Sequence, residues 1–447
     1  MTAWAVHVVK GVPMPARGRL LPVVLLEAAN LVSGLGNAVV MLALPWLVLE
    51  KTGSAAAAGA VAAISALPGL VVAPLTGWLI DHLGRKRVSI GADVLSAMSV
   101  AAIPITALTI GLDYPTILVL AIIGAVFDPA GYSARRALIP DAAEAARIDT
   151  DRLNGIHEGV FLVGWTLGPV LAAFLIASIG VEATFWLPCA LFILAALAVG
   201  GMRVGDAGLR AKAQAEEAGE RDTGLRSLVR GFTALWRDRA LRVLTLAVLV
   251  LAAVYMPTEA VVLPTYFNAL NDPRSLGIVI SALAGGSMIG AFSYGWLAAR
   301  MRKATLARVV LIGTSASIIP MALLPPVPVL ACFGFLLGLF WGPFNPLLST
   351  LVQTRIRPDE QGRVYGVQMA VFYAAPPIGM LAAGAAVDAF GVPGTYLVLG
   401  ILLAACSLAA AFVPSVRDLD RPGAVSLAPG SGQPAGTRPG EDPSLGP

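Results

Sequence analysis

Twelve long apolar runs, at 20–49, 55–80, 88–110, 115–134, 155–179, 183–202, 241–267, 276–299, 309–324, 327–352, 364–390 and 394–413, dominate the chain and restrict how it can fold. A helix needs about 20 mostly apolar residues to cross the hydrocarbon core of a bilayer. The runs are continuous instead of alternating and are rich in Leu, Ala and Gly, so they read as membrane helices and not as barrel strands. Only 13% of the 447 residues are charged, about half the share in a soluble domain. Soluble enzymes and nucleic-acid binders are excluded together, because neither could solvate so much apolar surface.

The basic residues test this count. With the amino terminus in the cytoplasm, one set of loops and ends holds 29 of the 31 Lys and Arg, and the other face keeps only Lys51 and Arg274. Basic residues near membrane helices favour the cytoplasmic side. A missed or extra helix would scramble the segregation downstream of the error. The expectation is an all-α integral membrane protein of the plasma membrane with twelve transmembrane helices and both termini cytoplasmic. The net charge of +4 then marks orientation and not a nucleic-acid partner.

The polar stretch after the sixth run divides the helices six and six. The expected organisation is a cytoplasmic N-terminus (1–19), an N-terminal six-helix bundle (20–202), a cytoplasmic linker (203–240), a C-terminal six-helix bundle (241–413) and a Gly/Pro/Ser-rich disordered tail (414–447). Gly77-Trp78-Leu79 recurs as Gly295-Trp296-Leu297, and Pro140-Asp141 as Pro358-Asp359, both at an offset of 218. Gly180-Val181 recurs as Gly391-Val392 at an offset of 211, as if the loop after the fourth helix were seven residues longer than the loop after the tenth. The shared order points to a duplicated unit and two pseudo-symmetric bundles.

Metal and cofactor chemistry is not expected. Cys189, Cys332 and Cys406 are far apart in apolar runs, and His7, His82 and His157 are too scattered to form a ligand set. There is no GxxxxGK[ST] phosphate loop to draw on ATP.

The loop between the second and third helices reads Gly77-Trp78-Leu79-Ile80-Asp81-His82-Leu83-Gly84-Arg85-Lys86-Arg87. A carboxylate at a helix end beside three cations makes a charged cluster at the cytoplasmic face. The segment resembles the G-x-L-x-D-R-x-G-R-K signature of the major facilitator superfamily, which belongs at this position in the topology. Gly77, Asp81, Gly84, Arg85 and Lys86 match, while His82 stands where the family has an arginine. The resemblance implies a gating loop that braces the two halves in the outward-facing state, with Asp81 near the amino end of the eleventh helix.

The fifth helix carries Gly164-Trp165-Thr166-Leu167-Gly168-Pro169, followed by Val170-Leu171-Ala172-Ala173. Gly164, Gly168 and Ala172 lie one turn apart on a smooth face suited to close helix packing, and Pro169 permits a bend. The string resembles the antiporter signature G-x-x-x-G-P-x-x-G-G, with Ala172 and Ala173 for its last two glycines. Generic small-residue packing explains the same face. Gly285, Gly286 and Gly290 of the eighth helix are expected to offer it a partner surface. Segments 43–71 and 354–370 also resemble the drug-exporter branch of the superfamily. The resemblance covers about 20–413 and implies the major facilitator fold, alternating access driven by a proton gradient, and a cavity lined by helices 1, 4, 7 and 10.

Buried acids argue independently. Glu27, Asp128, Glu158 and Glu259 lie within apolar runs that hold no deep Lys or Arg, and an intramembrane carboxylate costs several kcal/mol unless protonated or paired. The first three sit roughly 9–12 Å inside the cytoplasmic boundary, and Glu259 roughly 25 Å from it. Glu259 also stands between Pro257 and Pro264, where a broken helix opens backbone groups to a cavity. All four are candidates for proton coupling or substrate binding. Glu158 has the simpler alternative of an interfacial acid paired with an arginine, and Asp93 reads as structural. Trp165, Tyr255, Phe267, Trp341 and Tyr373 are aromatics that could line a pocket or face lipid.

The expected function is a monomeric proton-coupled exporter of lipophilic small molecules, whose partners are its substrate, protons and the bilayer. A siderophore, lipid or metabolite carrier on the same scaffold stays open. A membrane enzyme acting on lipids has no paired-carboxylate or Ser/His/Asp constellation behind it.

Overall fold

The computed structural model describes residues 20–204, 232–233, 235–356, 358–417 and 419. The expected N-terminal segment, most of the linker and the tail beyond Leu419 lie outside them. Among the described residues there is no strand. Ten helices are long and apolar enough to cross a membrane, and two more, Ala55–Leu83 and Pro358–Phe390, contribute the apolar stretches Ala55–Pro68 and Ala374–Phe390. Together they make the twelve.

In chain order these spans are span 1 (Leu21–Thr52), span 2 (Ala55–Leu83), span 3 (Arg85–Thr109), span 4 (Tyr114–Ala137), span 5 (Thr150–Ile179) and span 6 (Val181–Gly201). The second set begins with span 7, which runs from Arg239–Pro257 through a π turn at Thr258–Val262 into Leu263–Ala269. Span 8 (Pro273–Arg300), span 9 (Lys303–Ala322), span 10 (Val327–Trp341 and Phe344–Arg355), span 11 (Pro358–Phe390) and span 12 (Val392–Phe412) complete it. Span 9 is six residues longer at its start than its apolar run, since Lys303 and Arg308 ride on its first two turns.

Packing repeats with a step of six. Spans 1–5, 1–6, 2–4, 3–4 and 3–6 pack in the first half, and 7–11, 7–12, 8–10, 9–10 and 9–12 pack in the second. The main contacts between halves are spans 2–11 and 5–8, a pair that the same step exchanges. The sequence repeats survive as geometry: Gly180 and Gly391 have φ of 85° and 78° and start spans 6 and 12. Only glycine takes that backbone without strain. The longer loop after span 4 contains a short separate helix, Ile139–Ala146, whereas the matching Pro358-Asp359 pair opens span 11 itself.

The exterior is apolar. Leu197, Ile378 and Phe390 are 66%, 70% and 80% exposed, an arrangement that water would penalise and lipid accepts. At the end away from the arginine-rich loops, spans 4 and 8 start on acidic caps. Asp113 accepts from Thr116 N at 3.0 Å, and Asp272 from Ser275 N at 3.0 Å. Hydrogen bonds from Thr116 and Ser275 hold these two carboxyls below the usual carboxylate range.

Backbones touch where glycines lie. Gly286 faces the Phe335 carbonyl, Gly290 the Leu339 carbonyl and Gly338 the Leu283 carbonyl, so spans 8 and 10 pack without side chains between them. This corrects the expectation that Gly286 and Gly290 meet span 5. The span 8 glycine that packs on span 5 is Gly277, against Ala173 and the Pro169 carbonyl, with Gly285 facing Thr166. Gly277 and Gly286 are nine residues apart, about two and a half turns, and so look in opposite directions.

Candidate functional site

Span 1 carries a polar stripe. Glu27, Asn30, Ser33 and Asn37 follow one another by three or four residues and so share one helix face. Each meets a partner from spans 3 to 5. Glu27 Oε1 lies 3.1 Å from His157 Nδ1, and Asn30 Nδ2 donates to the His157 carbonyl at 2.7 Å. Ser33 Oγ accepts from Arg135 Nη2 at 2.8 Å, while Arg135 Nη1 donates to both Asp93 oxygens at 2.7 and 2.8 Å. Asn37 donates to the Asp128 carboxylate.

Arg135 corrects the expectation that no basic group lies at the depth of the acids. Its side chain is buried and turns inward along span 4 to reach Asp93. Long basic side chains place their charge well away from their Cα, and sequence position alone does not show the direction. Asp93 is the structural partner in this ion pair.

Asp128 lines a cavity of ≈ 350 Å³ with Asn37, Met41, Ser65, Ser99 and Trp165. Its walls come chiefly from spans 1 to 5, closed by Phe192 of span 6 and by Ala260 and Met380 of the other half. The expected lining by spans 1, 4, 7 and 10 is thus revised. Spans 1, 4 and 7 contribute, but the facing wall is completed by span 11, because spans 2 and 11 pack across the seam. Trp165 is held by stacking on Phe161, with ring centroids 5.7 Å apart. The cavity is therefore apolar with one carboxylate, the arrangement of a site that takes an apolar ligand carrying a few polar groups.

Glu259 sits in the π turn of span 7, next to cavity-lining Ala260 and beside Tyr255. π turns insert an extra residue into a helix and concentrate at functional sites. Tyr255 in turn stacks on Trp341 at 4.8 Å. Phe267 is fully buried, and the Tyr373 side chain lies outside the described residues. Glu158 does not join the other acids. It points away from the interior, half-exposed, with Arg136 at 3.6 Å.

In the loop after span 2, Gly84 has φ of 88° and starts span 3. Arg85 Nη1 donates to Asp141 at 3.1 Å, and Lys86 Nζ donates to the carbonyls of Gly200 and Met202 at 2.8 and 2.7 Å. These bonds tie spans 3 and 6 and the short helix together within the first half. The Gly77 and Asp81 side-chain positions lie outside the described residues. In span 5, Gly164 faces the Leu31 carbonyl and Gly168 faces Ala38, so the glycine face packs on span 1, while Pro169 turns to span 8.

A further residue closes the seam. Asp388, in the last turn of span 11, accepts from Ser54 Oγ at 2.6 Å, Ala55 N at 2.8 Å and Ala56 N at 3.0 Å at the start of span 2. Sequence reasoning passed over it, yet it has a sequence signal. An acid at a helix carboxyl end opposes that helix's dipole and needs another partner. His157 and Asn37 were also missed, although the 27-30-33-37 spacing marks the face that binds them.

A family model described as Major Facilitator Superfamily matches residues 26–375 and 259–440. The chain belongs to this superfamily. As a member it is 38% identical over 404 residues to the multidrug efflux pump Tap of Mycolicibacterium fortuitum, covering 89% of this chain and 97% of that one. It is 24% identical over 402 residues to macrolide efflux protein A of Streptococcus pyogenes, covering 88% and 96%. The nucleoside transporter NupG superposes with a TM-score of 0.69 at 12% identity, covering 90% of this chain and 99% of that one, a likeness of fold alone. The major facilitator protein described here is a multi-pass membrane protein of a transporter family.

Proposed function

We propose that this protein is a proton-driven efflux transporter of the plasma membrane for lipophilic, positively charged small molecules, working by alternating access with both termini in the cytoplasm. The observation that carries this reading is Asp128, a carboxylate held by Asn37 in an otherwise largely apolar cavity where the two halves meet. A carboxylate in such surroundings attracts a cation or a proton and is costly left bare. The efflux names of the relatives support the direction of transport and the substrate class.

The segregation of Lys and Arg supports the orientation. In that orientation the Asp388 contact lies at the outer ends of spans 2 and 11, so the state described is closed toward the outside. Glu259, one residue from the cavity wall, is the acid that the second half would bring to the substrate. The gating loop around Asp81 would lock the inner ends in the opposite state.

The test is ethidium efflux from cells with and without the protein. Efflux should stop when an uncoupler collapses the gradient. Asp128→Asn should weaken ethidium transport by about tenfold while sparing a neutral lipophilic substrate, since one lost charge-assisted contact is worth about 1.5–3 kcal/mol. Efflux that survives the uncoupler, or an Asp128→Asn variant with an unchanged substrate profile, overturns the reading.

A further inference from the structure

We infer that Glu27 and His157 together form a proton-binding site of the transport cycle, separate from the carboxylate that meets the substrate. The inference rests on the proton-driven reading above and adds where the proton sits. The pair joins spans 1 and 5 with 3.1 Å between Glu27 Oε1 and His157 Nδ1. The imidazole is 2% exposed and the carboxyl 11%, so the proton has a path through Glu27 and none through the opposite edge of the ring. Asn30 orders both partners, donating to the His157 carbonyl at 2.7 Å and to Glu27 Oε2 at 3.5 Å. His157 Nε2 is buried without a hydrogen-bond partner among the described residues.

The charges decide what the pair can do. A neutral imidazole beside an ionised carboxylate leaves one buried negative charge. Among the described residues no Lys or Arg pairs with Glu27. From span 4, Arg135 is committed to Asp93 of span 3 and to Ser33. Arg136 reaches outward to Glu158. One proton shared between Nδ1 and Oε1 brings the pair to neutrality, and an uncompensated charge away from water is unfavourable. Only an N–H or O–H bond forms and breaks, and no co-reactant is needed.

The site is apart from the cavity. Glu27 and Asn37 are ten residues apart on span 1, about 15 Å along its axis, and neither Glu27 nor His157 lines the Asp128 cavity. Proton and substrate therefore do not compete for one carboxylate and must be linked through conformation, a linkage that is reciprocal. Span 5 supplies the route. Gly159, two residues after His157 and so on the opposite side of the helix, has Phe292 of span 8 against it, so span 5 carries the proton site on one face and a contact between the halves on the other.

The experiment uses the full chain in proteoliposomes with ethidium as the probe. His157→Asn and Glu27→Gln should each cut transport driven by a pH gradient by about tenfold, within the usual range of coupling between two ligands, and should flatten its dependence on pH. Ethidium binding in detergent, which also reports folding, should stay close to wild type in both. If the variants keep the wild-type response to the gradient, this site is overturned and the proton-driven reading stands. A wild-type protein that ignores the gradient overturns both, and loss of ethidium binding in both variants overturns the separation of the two sites.

Discussion

The Ser54 hydroxyl donates to Asp388 at 2.6 Å, tying the start of span 2 in one half to the last turn of span 11 in the other. Two further bonds, from the backbone N–H groups of Ala55 and Ala56, complete a helix cap supplied from across the seam. Asp388 is misplaced with respect to its own helix dipole and well placed for that of span 2. Part of its stabilisation therefore exists only while the seam is shut. Ser54 caps the same helix locally through Ala57 N at 3.1 Å, so span 2 keeps an N-cap when the halves separate.

Asp388→Ala should shift the protein away from the state described here without unfolding it. Loss of a cap costs about 1 kcal/mol, roughly a fivefold change in population. Spin labels placed by Asp113→Cys, just before span 4, and Val329→Cys, in the first turn of span 10, report the separation. An unchanged distance distribution would show that the cap is incidental.

Glycines on the same seam make a second lever. A Cβ on Gly384 would fall 2.6 Å from the Ala55 carbonyl, and one on Gly59 would strike the Met380 carbonyl. Gly384→Ala should therefore wedge spans 2 and 11 apart and open the seam as Asp388→Ala does. Gly286→Ala puts the same methyl between spans 8 and 10 of one half, where no transport motion relieves it. Overpacking costs typically about 1–3 kcal/mol, so Gly286→Ala should lower the melting temperature in detergent while Gly384→Ala mainly changes the label distances. Equal thermal losses in both variants would contradict this division.

The Asp93–Arg135 pair predicts a reversal. Arg135→Met alone leaves a bare buried carboxylate and should cost about 3–5 kcal/mol, whereas the double change Asp93→Leu with Arg135→Met should recover most of it. Melting temperatures of the purified variants measure both. A double variant less stable than the single one would mean that Ser33 and its neighbours depend on the charges themselves.

The helical architecture was legible in the chain because the bilayer imposes length, and the basic loops then number the crossings. Glu27, Asp128 and Glu259 stood out because charge is rare in apolar runs. Their partners were not legible from the acids alone. The spans are apolar on nearly all sides, so hydrophobic periodicity does not say which way Arg135 turns or that span 11 faces span 2. The glycines of spans 5 and 8 show the same limit, since small residues announce a close contact without naming the helix opposite. Capping and polar stripes carried more information than was drawn from them, as Asp388 and the Asn30-Asn37 spacing demonstrate.

The stripe on span 1 also bears on how the protein is made. Glu27, Asn30, Ser33 and Asn37 emerge from the ribosome before Asp93, Asp128, Arg135 and His157, the groups that satisfy them. Until span 5 is synthesised, span 1 holds a carboxylate and an amide, Glu27 and Asn30, with no lasting match, and such groups are poorly tolerated against lipid. The first helix to reach the membrane is thus among the last to settle in its half. A chain released before span 5 would present this face to the quality-control machinery of the membrane.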